Sequence, residues 1–290
     1  MRTLLVGLGN ASWLNEVASS KRRTTHTFSM LDSNYFHIVG GVDLDPMAAQ
    51  RWGKFFNLKS FTSLEKAIME LNPTLIVIAV PINQLADCLI RAVKHSRSLI
   101  VIEKPVVTNL LEWERLCELL PESPRVIVNL PRLFAPETMK LMGILRTHRY
   151  AHLNLIGAYS GETLNTSLHF ISLMNSFFPD LNWKRESQND FTNFLCQDNL
   201  GRISAIFTQN SERGFSSFEF TIKGLNIDIS YEAGGEEITC IEFGIPIPIV
   251  STRDVYQRNV YQYLEENGED AAIKIAGLRV IEKSILEMLS

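Results

Sequence analysis

Ile100-Val101-Ile102-Glu103-Lys104-Pro105 is a short apolar run that stops on a carboxylate, an ammonium and a proline. An unbroken stretch of Ile and Val reads as a strand buried on both faces, the habit of parallel sheets. Pro105 has no N–H to give a ladder and disfavours helix at Lys104, so the strand ends there. Charged side chains at the carboxyl end of a buried strand stand at the rim where open α/β sheets bind ligands. Taken alone, the triplet is more often a solvated strand end; the segments around it decide.

Upstream, Thr3-Leu4-Leu5-Val6 is a strand that runs into Gly7-Leu8-Gly9-Asn10-Ala11-Ser12. Strand followed by G-x-G is the opening of a dinucleotide fold: the first glycine permits a tight turn and the second lets backbone approach a pyrophosphate. Ser12 replaces the third glycine, so the pattern is incomplete. Residues 19–25 read as a loop inserted in the first helix, which resumes near His26. Within it Lys21-Arg22-Arg23 is either a solvated surface or a contact to an anionic group. His37-Ile38-Val39-Gly40-Gly41-Val42 is the second strand, closed by Asp43. An acid at that place accepts hydrogen bonds from the adenine-ribose hydroxyls and repels the extra phosphate of NADP, so Asp43 favours NAD.

Helices are expected over 46–56, 64–71, 84–95 and 110–120, and strands over 73–80 (stopped by Pro81), 100–102 and 125–129. Alternation of this kind defines a doubly wound parallel sheet, a Rossmann domain over residues 1–130. The bulk properties agree with a globular protein: 290 residues, 46% hydrophobic, 21% charged. A net charge of −4 gives no reason to expect nucleic acid or an anionic membrane as partner. Cys88, Cys117, Cys196 and Cys240 are scattered without metal-ligand spacing, so no metal is expected, and they read as reduced thiols of a cytoplasmic protein. No apolar run approaches the ~20 residues of a membrane span.

Residues 131–290 read as an α+β domain. Stretches 152–159, 201–207, 217–222, 225–231 and 237–243 alternate as strands with one buried face, which suggests an open, mainly antiparallel sheet of five or six strands. One face would carry the helix near 163–178, and the other would be free to pair with a second subunit, making a dimer or tetramer. On that helix Phe170, Met174 and Phe177 share a face, while Asn165, His169, Ser172 and Ser176 form a polar stripe. Closing helices are expected at 256–264 and 271–289, the first with Tyr256, Val260, Tyr261 and Leu264 at core spacing.

The ordered set GLGNAS (7–12), GVDLDP (41–46), IAVP (78–81) and VIEKP (101–105) resembles the Gfo/Idh/MocA oxidoreductases, the glucose–fructose oxidoreductase and inositol dehydrogenase group. The resemblance continues through 128–136 and covers essentially the whole chain. It implies that Gly7, Gly9, Asn10, Ala11 and Ser12 cradle a pyrophosphate and that Val80 and Pro81 line the nicotinamide. It places Lys104 beside the nicotinamide and the substrate hydroxyl as the proton-transferring group, with Glu103 fixing the turn that aims it. An acid-x-x-x-His pair in the family falls on Asn165 and His169, where His169 would bind substrate and relay its proton. Asn165 departs from the usual aspartate; it can orient His169 but cannot stabilise an imidazolium ion. A branch found in surface-polysaccharide biosynthesis shares the asparagine and the GLGN start. The implied activity is NAD-dependent hydride exchange with a sugar, nucleotide sugar or polyol. Two alternatives stay open: a non-catalytic dinucleotide-binding regulator of the same fold, and an imine or keto reductase of a natural-product pathway.

Overall fold

The computed structural model describes residues 1–18, 24–31, 33–120, 125–148, 152–160, 163–178, 181–188, 191–209, 218–233, 237–250 and 256–268. The chain forms two compact units, one built on Met1–Pro131 and the last described helix, the other beginning at Arg132.

In the first unit β1 (Arg2–Val6), β2 (His37–Val42), β3 (Lys59–Phe61), β4 (Leu75–Ile78), β5 (Leu99–Ile102) and β6 (Val126–Val128) make one parallel sheet. Their order, β3-β2-β1-β4-β5-β6, is that of the doubly wound dinucleotide fold. β4 and β5 both read Leu-Ile-Val-Ile, and every one of these residues is buried. That is the mark of a sheet covered by helices on both faces.

The chain leaves β1 through a π-turn, Asn10–Leu14, and the short α1 (Asn15–Val17), in place of a regular first helix. Residues 19–23 of the expected insertion lie outside the described residues. Its return is pinned where Glu16 Oε2 accepts the N–H groups of Thr24 and Thr25, at 3.0 and 3.2 Å, just before α2 (His26–Leu31). α3 (Pro46–Phe56), α4 (Leu64–Leu71), α5 (Ile82–His95) and α6 (Leu110–Leu119) then alternate with the strands. Asp45 starts α3 by accepting the Met47 N–H ahead of Pro46 at the first turn, and Asn57 ends it in the left-handed region. Ser63 and Asn72 do the same for α4. At α6, Asn109 accepts the Glu112 N–H while Glu112 accepts that of Thr108, a reciprocal cap.

The second unit contains α7 (Pro136–Thr147), β7 (Leu153–Tyr159), α8 (Thr163–Phe177), β8 (Leu181–Gln188), β9 (Phe191–Asp198), β10 (Ile203–Gln209), β11 (Phe218–Lys223), β12 (Ile227–Glu232), β13 (Glu237–Glu242) and β14 (Ile245–Pro246). The sheet has eight strands, in the order β14-β13-β12-β11-β7-β10-β9-β8, not the five or six expected. The β8–β9 hairpin and the two-residue β14 make the difference. All neighbours are antiparallel except β7 and β10. A parallel pair requires a crossover, and α8 lies in that connection.

Burial alternates strictly along β7 and β12, as one covered face demands. The covered face carries α8, whose Phe170 ring stacks on Phe207 at 4.3 Å and meets Phe194 and Phe218 edge-on at 5.6 and 6.1 Å. Met174 and Phe177 are buried with Phe170, but Ser172 of the expected polar stripe is fully buried too. Among the described side chains of 166–178, only His169 and Ser176, two helical turns apart, are half-exposed.

α9 (Tyr256–Asn267) belongs to the first unit and packs against α2, where Arg258 Nη1 donates to the Ser29 carbonyl at 3.0 Å. Val260, Tyr261 and Leu264 are buried, as their spacing predicts. Residues 271–289, expected as a further helix, lie outside the described residues. Among the described residues no helix is long and apolar enough to cross a membrane.

Candidate functional site

The winding of the first sheet reverses between β1 and β4, and the carboxyl ends of its strands form a rim at that switch point. Gly7 leaves β1 with φ +86° and gives its N–H to the Val42 carbonyl at 2.8 Å. A Cβ there would lie 2.4 Å from the Ala79 carbonyl oxygen, so only glycine lets the exits of β1 and β4 pass this closely. Leu8 is buried, and its N–H donates to Asp43 Oδ2 at 2.8 Å. Gly9 is the opposite of Gly7: a Cβ on it would meet nothing within 4 Å. Its carbonyl accepts the N–H groups of Trp13 and Leu14, at 3.1 and 3.3 Å, which makes the π-turn. Asn10 and Ala11 are exposed beside it. Ser12, at the third-glycine position, is 1% exposed and turned inward, and its hydroxyl has no hydrogen-bond partner among the described residues.

Asp43 closes β2 with both oxygens engaged, Oδ2 by Leu8 and Oδ1 by the Asp45 N–H at 2.9 Å. Val80 and Pro81 follow β4, half-buried and exposed respectively, with the Ala79 N–H continuing the ladder to Val6.

Beyond β5 the ladder extends one rung, Glu103 N–H to the Ile78 carbonyl at 2.9 Å. Glu103 Oε1 accepts from His26 Nε2 at 2.9 Å and from Asn129 Nδ2 at 2.6 Å. Oε2 accepts the backbone N–H of Lys104 at 3.3 Å, and the Lys104–Pro105 peptide is cis. Behind His26, Tyr261 Oη lies 2.6 Å and Gln257 Nε2 3.1 Å from Nδ1. Gln257 also exchanges two hydrogen bonds with the Asn129 amide, at 3.0 and 3.1 Å. Burial pushes the Glu103 carboxyl up, but the hydrogen bond and field of His26, the Asn129 amide and the charge of Lys104 together outweigh it and hold the group below the usual range. Burial and the charge of Glu103 keep the Tyr261 phenol protonated.

The sequence-selected residues Gly7, Gly9, Asn10, Ala11, Ser12, Asp43, Val80, Pro81, Glu103 and Lys104 therefore gather at the strand ends of one sheet. Asn165 and His169 lie in the second unit, on α8, and the Asn165 side chain is outside the described ones. His169 is stacked over the Phe218 ring at 6.4 Å, and the Arg132 guanidinium sits 5.4 Å from the same ring. Sequence reasoning assigned no role to Arg132, although it falls inside the family-like run at 128–136. It also missed His26, Gln257 and Tyr261, for which no local signal exists.

Residues 1–130 match the family model for Gfo/Idh/MocA, an oxidoreductase family with an NAD-binding Rossmann fold. No curated protein matches the chain. Among solved structures, an oxidoreductase from Pseudomonas syringae is similar at 16% identity and TM-score 0.74, covering 99% of this chain and 95% of that one. An oxidoreductase from Agrobacterium radiobacter, solved with NAD+, L-tartaric acid and magnesium, is similar at 12% identity and TM-score 0.72, covering 99% and 94%. A 3-ketoreductase from Actinomadura kijaniata, solved with NADP and TDP-benzene, is similar at 12% identity and TM-score 0.71, again covering 99% and 94%. At such identities the structures share the fold with this chain. Residues 1–130 thus form the NAD-binding Rossmann fold that the Gfo/Idh/MocA oxidoreductase family model describes.

Proposed function

We propose that the chain exchanges a hydride between NAD and a carbinol or carbonyl carbon of a sugar, nucleotide sugar or polyol. The observation that carries this reading is the position of Lys104: it leaves β5 on the rim that also holds the Gly7–Gly9 turn, and Glu103 holds its backbone N–H. The rim suits a dinucleotide, because the space beside Gly9 is open and the exposed Asn10 and Ala11 flank it. When bound, NAD supplies the hydride chemistry.

Gly7, Gly9, Asn10, Ala11 and Ser12 take the pyrophosphate side, Ser12 through its backbone since its side chain is turned inward. Asp43 takes the adenine ribose, having lone pairs left after its two backbone bonds, and its charge favours NAD over NADP. Val80 and Pro81 take the nicotinamide side. Lys104 moves the substrate hydroxyl proton, and Glu103 aims it. His169 relays that proton, and Asn165 orients His169 without stabilising its charged form. The Arg132 cation over the Phe218 ring suits a negatively charged, nucleotide-linked substrate. The Actinomadura 3-ketoreductase, crystallised with TDP-benzene, supports that class. We assign cofactor binding to residues 1–130, and substrate binding and assembly to residues 131–290 apart from α9, which belongs to the first unit. A dimer or tetramer would form through the uncovered face of the second sheet, where Ile156 is 64% exposed. The expected setting is the cytoplasm, in surface-polysaccharide synthesis.

Ser12 for glycine and Asn165 for aspartate favour a second reading, a regulator that binds the dinucleotide without turnover. Titration calorimetry with NAD+, NADH and NADPH, on wild type and Asp43→Ala, separates the two. Binding of NAD(H) weakened by Asp43→Ala, with turnover of a sugar or nucleotide sugar lost in Lys104→Ala while binding persists, supports the oxidoreductase. Binding without turnover across the substrate panel hands the chain to the regulator reading. No binding of any of the three removes both.

A further inference from the structure

Five polar side chains from four separate segments meet beneath the rim: His26 of α2, Glu103 after β5, Asn129 after β6, and Gln257 and Tyr261 of α9. Four of them, all but Glu103, are more than nine-tenths buried, His26 being 1% exposed. Collecting so many polar groups in a core is costly unless each is paired, and here each is. A structural staple between α2 and α9 needs no such group, since apolar side chains of the same size would pack there as well or better. The network ends on the carboxylate next to Lys104, and that carboxylate's second oxygen accepts the Lys104 N–H.

We propose that His26, Asn129, Gln257 and Tyr261 are positioning residues. They hold Glu103 in one orientation as an anion, and Glu103 in turn fixes the Lys104 backbone and favours the charged form of its amine. The proposal rests on the reading of Lys104 as the proton-transferring group, and it adds what governs that group. Asn129 and His26 supply the two donors to Oε1, Gln257 locks the Asn129 amide and the far side of His26, and Tyr261 closes the chain. The titratable groups facing Glu103 are His26 from α2, Tyr261 from α9 and Lys104 in its own loop. Without the His26 donor, burial governs Glu103, its carboxyl takes up a proton more readily, and the ammonium of Lys104 loses its anionic neighbour.

The test reads Lys104 directly, without turnover: the pH dependence of its acylation by acetic anhydride, followed on the Lys104 peptide by mass spectrometry in the full chain. Glu103→Gln is expected to leave about tenfold more free amine at a given pH. His26→Leu is expected to shift Lys104 the same way, and His26→Gln, whose amide can still donate to Oε1, to restore wild-type behaviour. Tyr261→Phe, which removes only a hydroxyl, is expected to shift it less and guards against misfolding of the histidine variant. An unchanged Lys104 profile in folded His26→Leu, or in Tyr261→Phe where that variant does not fold, overturns the proposal, as does failure of His26→Gln to restore it. Full turnover in Lys104→Ala would remove Lys104 from the reaction while leaving this titration result standing, so the two claims fail separately.

Discussion

β5 and β7 show two ways for a strand to face a ligand. Leu99-Ile100-Val101-Ile102 is buried on both sides, while β7 buries one side and leaves Asn154 and Ile156 exposed on the other. A strand covered on both faces can offer chemistry only where it stops, which is why Gly7, Asp43, Val80, Glu103 and Lys104 all follow strand ends. A sheet with one open face has broad side-chain surface to give, to α8 on one side and to solvent or a second subunit on the other. The first unit thus concentrates its site at a line of backbone turns, and the second spreads contact over an aromatic platform.

Substitutions at matched positions sharpen this contrast. The largest loss of stability is expected from Phe170→Ala, which removes the ring stacked on Phe207 and packed against Phe194 and Phe218. Urea denaturation should show a loss of about 3–5 kcal/mol, whereas Ile156→Asp on the open face should leave stability within about 0.5 kcal/mol. Similar losses at the two positions would mean that the second sheet is not one-sided. Next comes Gly7→Ala, where a left-handed backbone and a methyl driven at the Ala79 carbonyl should together cost on the order of 3 kcal/mol. Gly9→Ala should leave the denaturation midpoint nearly unchanged and weaken NAD binding in calorimetry, since its methyl enters open space. If the two variants unfolded alike, the turn would be a packing device only.

The smallest effect concerns a surface pair. The two-pronged hydrogen bond from Arg91 draws the Glu65 carboxyl down to about 2, more than its partial burial raises it. A lowered folded-state value means the pair contributes fully above the unfolded carboxyl range and is lost as pH falls from about 4.3 towards 2. Because both groups are about one-third exposed, with relative areas of 31% and 33%, the contribution should stay below about 1 kcal/mol. Glu65→Gln should flatten the acid limb of a stability–pH curve by that amount, and an unaltered limb would assign the limb to Glu103 and other carboxylates.

Much of this architecture was legible in the chain. Apolar runs closed by Pro81 and Pro105, and the Asp45-Pro46 start of α3, mark β4, β5 and α3 because local chemistry alone stops or starts them. The alternation of residues 152–159 marks β7 for the same reason. The β8–β9 hairpin escaped because Lys184, Arg185 and Glu186 interrupt any apolar period; β8 is an edge strand, and charged residues are what such an edge carries. β3, with three residues, is too short to show a period. The rim residues were legible as strand ends, but the network behind Glu103 was not. His26 and Tyr261 are 235 positions apart, and no pattern within one segment announces a contact of that range.

That separation also sets an order of assembly. All six strands of the first sheet are complete once residue 128 has been made, yet the ring that packs edge-on against His26 and Phe36 arrives only with residue 261. A ribosome must therefore synthesise the whole eight-stranded sheet before the earlier unit can close its own core. The half of the protein that is translated first thus cannot finish folding until residue 261 has been made, and until then the groups that hold Glu103 wait beside an open seam.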